Sequence, residues 1–131
     1  EISACLVGSE MCIRDSMKVT GFKFPIDATL YLIGGKWKCT ILCHLLEQVQ
    51  RPGELRRLMP GISQKVLTEQ LRELESDGVI ERIVYAEVPP RVEYKPTEFG
   101  LSLGEIINAM CDWGQVHFER IAAARLRRDS E

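Results

Sequence analysis

The segment from Gly61 to Gly78, "GISQKVLTEQLRELESDG", constrains this chain more than any other, because it carries a complete helix with its own start and stop signals. Ser63 stands as N-cap, Ile62 and Leu67 can staple the entry turn, and Gly78 suits a left-handed C-cap. Val66, Leu67, Leu71 and Leu74 make a dry face. The forward half of the wet face holds Ser63, Gln64, Lys65 and Thr68, where an idle surface would carry Lys and Glu throughout. Such a face suits a surface rich in hydrogen-bond acceptors and negative charge.

The flanks decide what this helix belongs to. Upstream, "ELRRLM" supplies a short helix after the chain break Arg51-Pro52-Gly53 and ends at Pro60-Gly61. Two helices across so tight a turn predict a helix-turn-helix. Downstream, "VIERIVY" and "RVEYKP" are β-rich runs joined through "AEVPP", whose prolines are excluded from a central strand and mark a hairpin loop. A hairpin directly behind the second helix is the layout of a winged helix-turn-helix. The fold class expected is therefore mainly α with a small β hairpin.

Before this unit, "DATLYLI" offers a first helix with Asp27 as N-cap and Gly34-Gly35 as stop. "KWKCTILCHLLEQV" follows as a mostly buried helix, with Trp37, Ile41 and Leu45 on one ridge, Leu42 and Leu46 on the next, and Lys36, Thr40, His44 and Glu47 as a polar stripe. After the hairpin, Thr97 is expected to cap one long helix, or two bent near Gly114, ending in a basic tail. Its apolar stripe of Leu103, Ile106, Ile107, Met110, Trp113, His117 and Ile121 exceeds what a small core absorbs. The expected outlet is a second copy of the chain, with Leu30, Leu103, Ile107, Met110, Trp113, His117 and Ile121 at the dimer interface.

A chain of 131 residues suits one domain with a real core. Residues 1–16, "EISACLVGSEMCIRDS", share no periodicity with the rest and are expected to be a non-native, adapter-derived leader ahead of a start at Met17. Residues 17–131 would then form the single domain, with 24–96 as DNA-binding core and wing and 97–127 as dimerisation helices. The whole chain carries 17 basic and 19 acidic residues, and without the leader the balance is 16 to 16. Any nucleic-acid surface must then come from local placement of Lys and Arg. No apolar run approaches the ~18 to 20 residues that span a bilayer. Cys39, Cys43 and Cys111 are odd in number and lack CxxC spacing, which argues against a disulfide framework and for a reducing cytoplasm.

Gln64, Lys65, Thr68 and Arg72 share one helix face, and these residue types can read base edges: Gln pairs with adenine, Lys and Arg with guanine, and Thr offers a hydroxyl or a methyl. Arg91, beside Pro89 and Pro90, is expected as an exposed cation at the wing, able to enter a minor groove or meet a phosphate. Arg51, Arg56 and Arg57 surround the helix that would cross the backbone. Cys39 and Cys43 stand four residues apart beside His44, a spacing that can suggest a metal or thiol sensor, but two ligands on one helix are not a site and buried Cys packs as a small hydrophobe. Cys111, Asp112, Trp113 and His117 could serve as polar groups of a ligand cavity or interface, with packing as the plainer reading. There is no P-loop, HExxH, GxGxxG or nucleophile elbow, so no enzyme, metal or cofactor is expected.

The stretches "LIGGKWK" (32–38), "GELRRLMPGISQKVLTEQLRELESDGVIER" (53–82), "EVPPRVEYKPTEFG" (87–100) and "CDWG" (111–114) resemble the HxlR-type branch of winged helix-turn-helix transcriptional regulators, relatives of the MarR group. The resemblance covers about 24–118. It implies a homodimeric bacterial or archaeal regulator of double-stranded DNA, with the helix from Gln64 as recognition helix and dimerisation through the first and C-terminal helices. A small-molecule effector of unknown identity is a further expected partner. Some members of the family sense reactive electrophiles or oxidants through a cysteine just before the first helix, in a Cys-Pro-Ile-like context, where this chain reads Phe24-Pro25-Ile26 and has no thiol. Two alternatives remain: a winged-helix protein-interaction module without DNA binding, and a ligand or redox sensor using the dimer interface.

Overall fold

The computed structural model describes residues 18–130 and divides into two compact units, 1–35 and 36–131. The expected leader, 1–16, lies outside the described residues.

In the first unit, α1 spans Pro25–Ile33. It begins two residues ahead of the expected Asp27 N-cap, because Pro25 has its φ already set for a first helical position and lacks only an amide that would be unsatisfied there anyway. Asp27 still caps, from inside the first turn: its Oδ2 accepts from the Phe24 amide at 2.9 Å. Ile33 is buried and Leu30 is exposed.

The second unit contains α2 (Lys38–Glu47), α3 (Pro52–Leu58), α4 (Gln64–Ser76), β1 (Ile80–Tyr85), β2 (Arg91–Pro96), α5 (Glu98–Leu101), α6 (Gly104–Val116) and α7 (Phe118–Asp129). Its core draws Ile41, Leu42 and Leu45 from α2, Leu55 from α3, Leu67, Leu71 and Leu74 from α4, and Leu103 and Ile107 from the C-terminal segment. Pro52 and Gly53, read above as a break, are the first turn of α3, with the Glu54 carboxylate accepting the Arg51 amide at 2.8 Å.

α4 is bounded as its sequence dictates. The Ser63 Oγ accepts the Val66 amide at 3.1 Å. At the other end Gly78 takes φ +79°, its amide donates to the Glu75 carbonyl and that of Val79 to the Leu74 carbonyl, both at 3.0 Å. This pair of reversed bonds is a Schellman closure, and the burial of Leu74 and Val79 supplies its apolar partner.

β1 and β2 pair antiparallel in the register Ile80↔Pro96 to Tyr85↔Arg91. Gln50 adds a bridge to β2, its amide donating to the Tyr94 carbonyl at 3.2 Å and its carbonyl accepting the Tyr94 amide at 2.8 Å. The linker between α2 and α3 is thereby pinned to the hairpin.

The long C-terminal helix expected from Thr97 is instead three pieces. Thr97 caps only α5, accepting the Gly100 amide at 3.0 Å, while its hydroxyl donates to the Gly78 carbonyl at 2.6 Å. Gly100 lies against the Val79 carbonyl, and a Cβ there would collide with that backbone. This contact turns the chain before α6. The second break falls at His117, which ends α6 and starts α7, rather than at Gly114, which stays helical.

Candidate nucleic-acid interface

α4 rises about 20 Å at ~1.5 Å per residue, long enough to lie in a major groove. Leu67, Leu71 and Leu74 anchor it, which leaves Ser63, Gln64, Lys65 and Arg72 exposed and Thr68 half-buried. The hydroxyls on this face are already used locally: Ser63 by its cap, and Thr68 by donating to the Gln64 carbonyl at 2.8 Å. Among the described residues Gln64, Lys65 and Arg72 form no ion pair or side-chain hydrogen bond, so their heads are available to a ligand.

An ion pair between a buried lysine and an exposed glutamate ties α2 to α4. Lys38, on α2, is 8% exposed, and its Nζ donates to the Glu73 Oε1 at 2.7 Å. Nothing in the local pattern linked residues 38 and 73.

Four further arginines lie outside α4. Arg82 of β1 is exposed and lines one cavity of about 410 Å³ with Thr68, Arg72, Glu75 and Tyr94. It was not among the sequence-based candidates, because strand alternation alone does not say which neighbour a side chain faces. Arg51 and the wing loop, Glu87 to Val92, line an open cleft of about 400 Å³. Arg56 and Arg57 are exposed on α3.

Arg91 differs from the exposed cation expected. Its side chain is 33% exposed, its guanidinium carbon lies 4.0 Å from the Tyr85 ring centroid, and carboxylates of Glu87 and Glu93 approach at 3.6 and 3.9 Å. Strand pairing sets Arg91 opposite Tyr85, and a cation over an aromatic face is attracted by its quadrupole. Val88 of the wing loop is fully exposed.

The apolar stripe of the C-terminal segment splits in two. Leu103 at 7% and Ile107 at 1% exposure are core residues, since α6 packs on α2, and they cannot serve an interface. Met110, Trp113 and Ile121 are exposed, His117 half-buried, with the Trp113 and His117 rings 4.5 Å apart. Ile106 and Val116 of α6 and Phe118 and Leu126 of α7, outside the sequence-based interface, are also exposed.

α2 and α6 also bring cysteines together. The Cys43 and Cys111 sulfurs lie 3.3 Å apart as free thiols, and Cys39 lines the same cavity. Burial above all, then the bond to Cys111, pushes the Cys43 thiol up to about 12. Burial also raises Cys39. Their spacing in sequence, 68 residues, hid the pairing.

A tri-helical head with a reading helix exposed at its polar front and a β hairpin behind it defines a winged helix-turn-helix regulator. The HxlR-like helix-turn-helix family matches residues 32–122, and the chain belongs to that family. It is 55% identical over 105 residues to the HTH-type transcriptional regulator YtcD of Bacillus subtilis strain 168, covering 80% of this chain and 83% of that protein. An HTH-type regulator of the archaeon Methanothermobacter thermautotrophicus is 46% identical over 103 residues, 79% of each chain. Among solved structures, the redox regulator HypR in its reduced form superposes with TM-score 0.74 at 45% identity, covering 76% of this chain and 99% of that one. The chain is thus a helix-turn-helix transcriptional regulator. No described helix is long and apolar enough to cross a membrane.

Proposed function

We propose that two copies of the chain bind one double-stranded operator, each laying α4 in a major groove, with half-sites one helical turn, about 34 Å, apart. The observation that carries this is the front of α4: Gln64, Lys65 and Arg72 stand unpaired opposite a stripe that is fully buried. Lys65 and Arg72 suit guanine and Gln64 adenine, while the back-bonded Thr68 presents its methyl. Arg51, Arg56, Arg57 and Arg82 hold phosphates, and Ser63 holds the first turn in place. Arg91 shapes the wing by its stack on Tyr85, so the flanking contact is made by the loop it supports.

The partner face comprises Met110, Trp113, His117 and Ile121, joined by Ile106, Val116 and Phe118; exposed apolar area on this scale on a small chain marks an interface. Leu30 on α1 is a further exposed candidate. Cys39, Cys43 and Cys111, none of them in a disulfide, suit a reducing cytoplasm.

The test is fluorescence anisotropy on short duplexes across salt, beside a Lys65→Ala, Arg72→Ala double variant. Binding should weaken steeply with salt, and the variant should lose sequence preference while keeping most non-specific affinity. Equal losses on specific and random DNA would show that these residues touch only phosphates. The even charge balance favours a second reading, a protein-interaction module. On that reading a folded dimer would ignore DNA even at low salt.

A further inference from the structure

We propose that Cys43 and Cys111 form a binding site for a trivalent, thiophilic arsenic centre, held by both sulfurs in the seam between α2 and α6. The two thiols already sit 3.3 Å apart, on helices whose packing is fixed by the buried Ile41, Leu42 and Ile107. A pyramidal three-valent centre bonds two sulfurs at close to a right angle, which keeps them near van der Waals contact, as they are here. A linear two-coordinate ion would need them on opposite sides of itself. Tetrahedral zinc needs four ligands, and among the described residues no group of three His, Cys, Asp or Glu converges on a metal.

The surroundings leave room for the third substituent. A largely apolar cavity of about 410 Å³ opens beside the pair, lined by Thr40, Ile107 and Met110. That space suits an aryl or alkyl group on arsenic better than a bare hydroxide.

The chemistry suits a thiol that burial holds in its protonated form, as at Cys43. An arsenic(III) oxide condenses with two neutral thiols: two As–S bonds form, the As–O bonds break, and the oxygen leaves with both thiol protons as water. Neither sulfur nor arsenic changes oxidation state, so no oxidant is required. Attack on a peroxide, by contrast, requires a thiolate, which burial suppresses at Cys43. Once one sulfur is bonded, the second closes inside the molecule at high effective concentration. Occupation would therefore clamp α2, which also packs on β2, to α6.

The experiment takes the full chain with Cys5→Ser and Cys12→Ser, phenylarsine oxide as probe, and intact mass with thiol counting as readouts. DNA is absent, so the outcome is independent of the operator-binding reading. One adduct per chain is expected, consuming two of the three remaining thiols, surviving excess glutathione and released by dithiothreitol. Cys39→Ser should keep the adduct, and Cys43→Ser and Cys111→Ser, folded by circular dichroism, should each lose it. An adduct that glutathione strips from the parent, that persists in the Cys43→Ser, Cys111→Ser double variant, or that vanishes in folded Cys39→Ser would overturn the assignment.

Discussion

Single side chains with two duties recur through this head. Thr97 caps α5 and at the same time holds the Gly78 carbonyl; Lys38 is buried in α2 and fixes Glu73 of α4. Glu73→Ala strips the partner from a buried ammonium and should cost about 1–3 kcal/mol in urea denaturation. Lys38→Met replaces that ammonium with an apolar chain of similar length and should cost less. The opposite ranking would mean that packing of the lysine stem, not its charge, is what matters. Cys43 sets a pH dependence. Its pKa is raised on folding, so between about 9 and 12 the unfolded chain releases this proton first. Stability is therefore fully present below that window and falls as pH rises through it. Denaturation midpoints compared at pH 8 and pH 10.5 should converge in Cys43→Ser relative to the parent. An unchanged slope would place the alkaline loss elsewhere.

At the scale of elements, boundaries were legible wherever the signal is local. α4 starts and stops where Ser63 and Gly78 indicate, because a hydroxyl cap and a left-handed glycine act within a few residues. The hairpin was legible for the same reason. The C-terminal helix was not: the apolar period runs on through residues 98–117, so it conceals the turn that Gly100 makes against Val79 and the break at His117. Gly78→Ala should cost about 1–2 kcal/mol, the penalty of a side chain in a left-handed conformation. Gly100→Ala should cost more, because its Cβ meets backbone rather than a movable side chain. Thermal unfolding of the two variants checks the order, and equal losses would mean the α5 backbone yields freely.

For the molecule as a whole, the C-terminal stripe divides between a buried half and an exposed half. Ile107→Ala should destabilise the protomer by about 2–5 kcal/mol through the cavity it leaves. Trp113→Ala, at a residue 61% exposed, should leave protomer stability nearly unchanged and weaken the dimer in sedimentation equilibrium. A Trp113 variant that dimerises like the parent would remove this face from the proposed interface. The two proposed contacts sit on separate elements, Lys65 and Arg72 on α4 and Trp113 on α6, so variants at each should act independently.

The amino-acid order alone determined the winged helix-turn-helix layout, its reading helix and its family resemblance, because caps, turn residues and hydrophobic period are encoded within a few neighbouring positions. Tertiary structure alone decided the rest. It buried Leu103 and Ile107 while leaving Trp113 outside, and it drew Arg91 onto Tyr85. It also paired Lys38 with Glu73 and set Cys43 against Cys111. Each of these outcomes depends on which faces meet when the elements pack, and helical period states only that a face is apolar, not what will cover it.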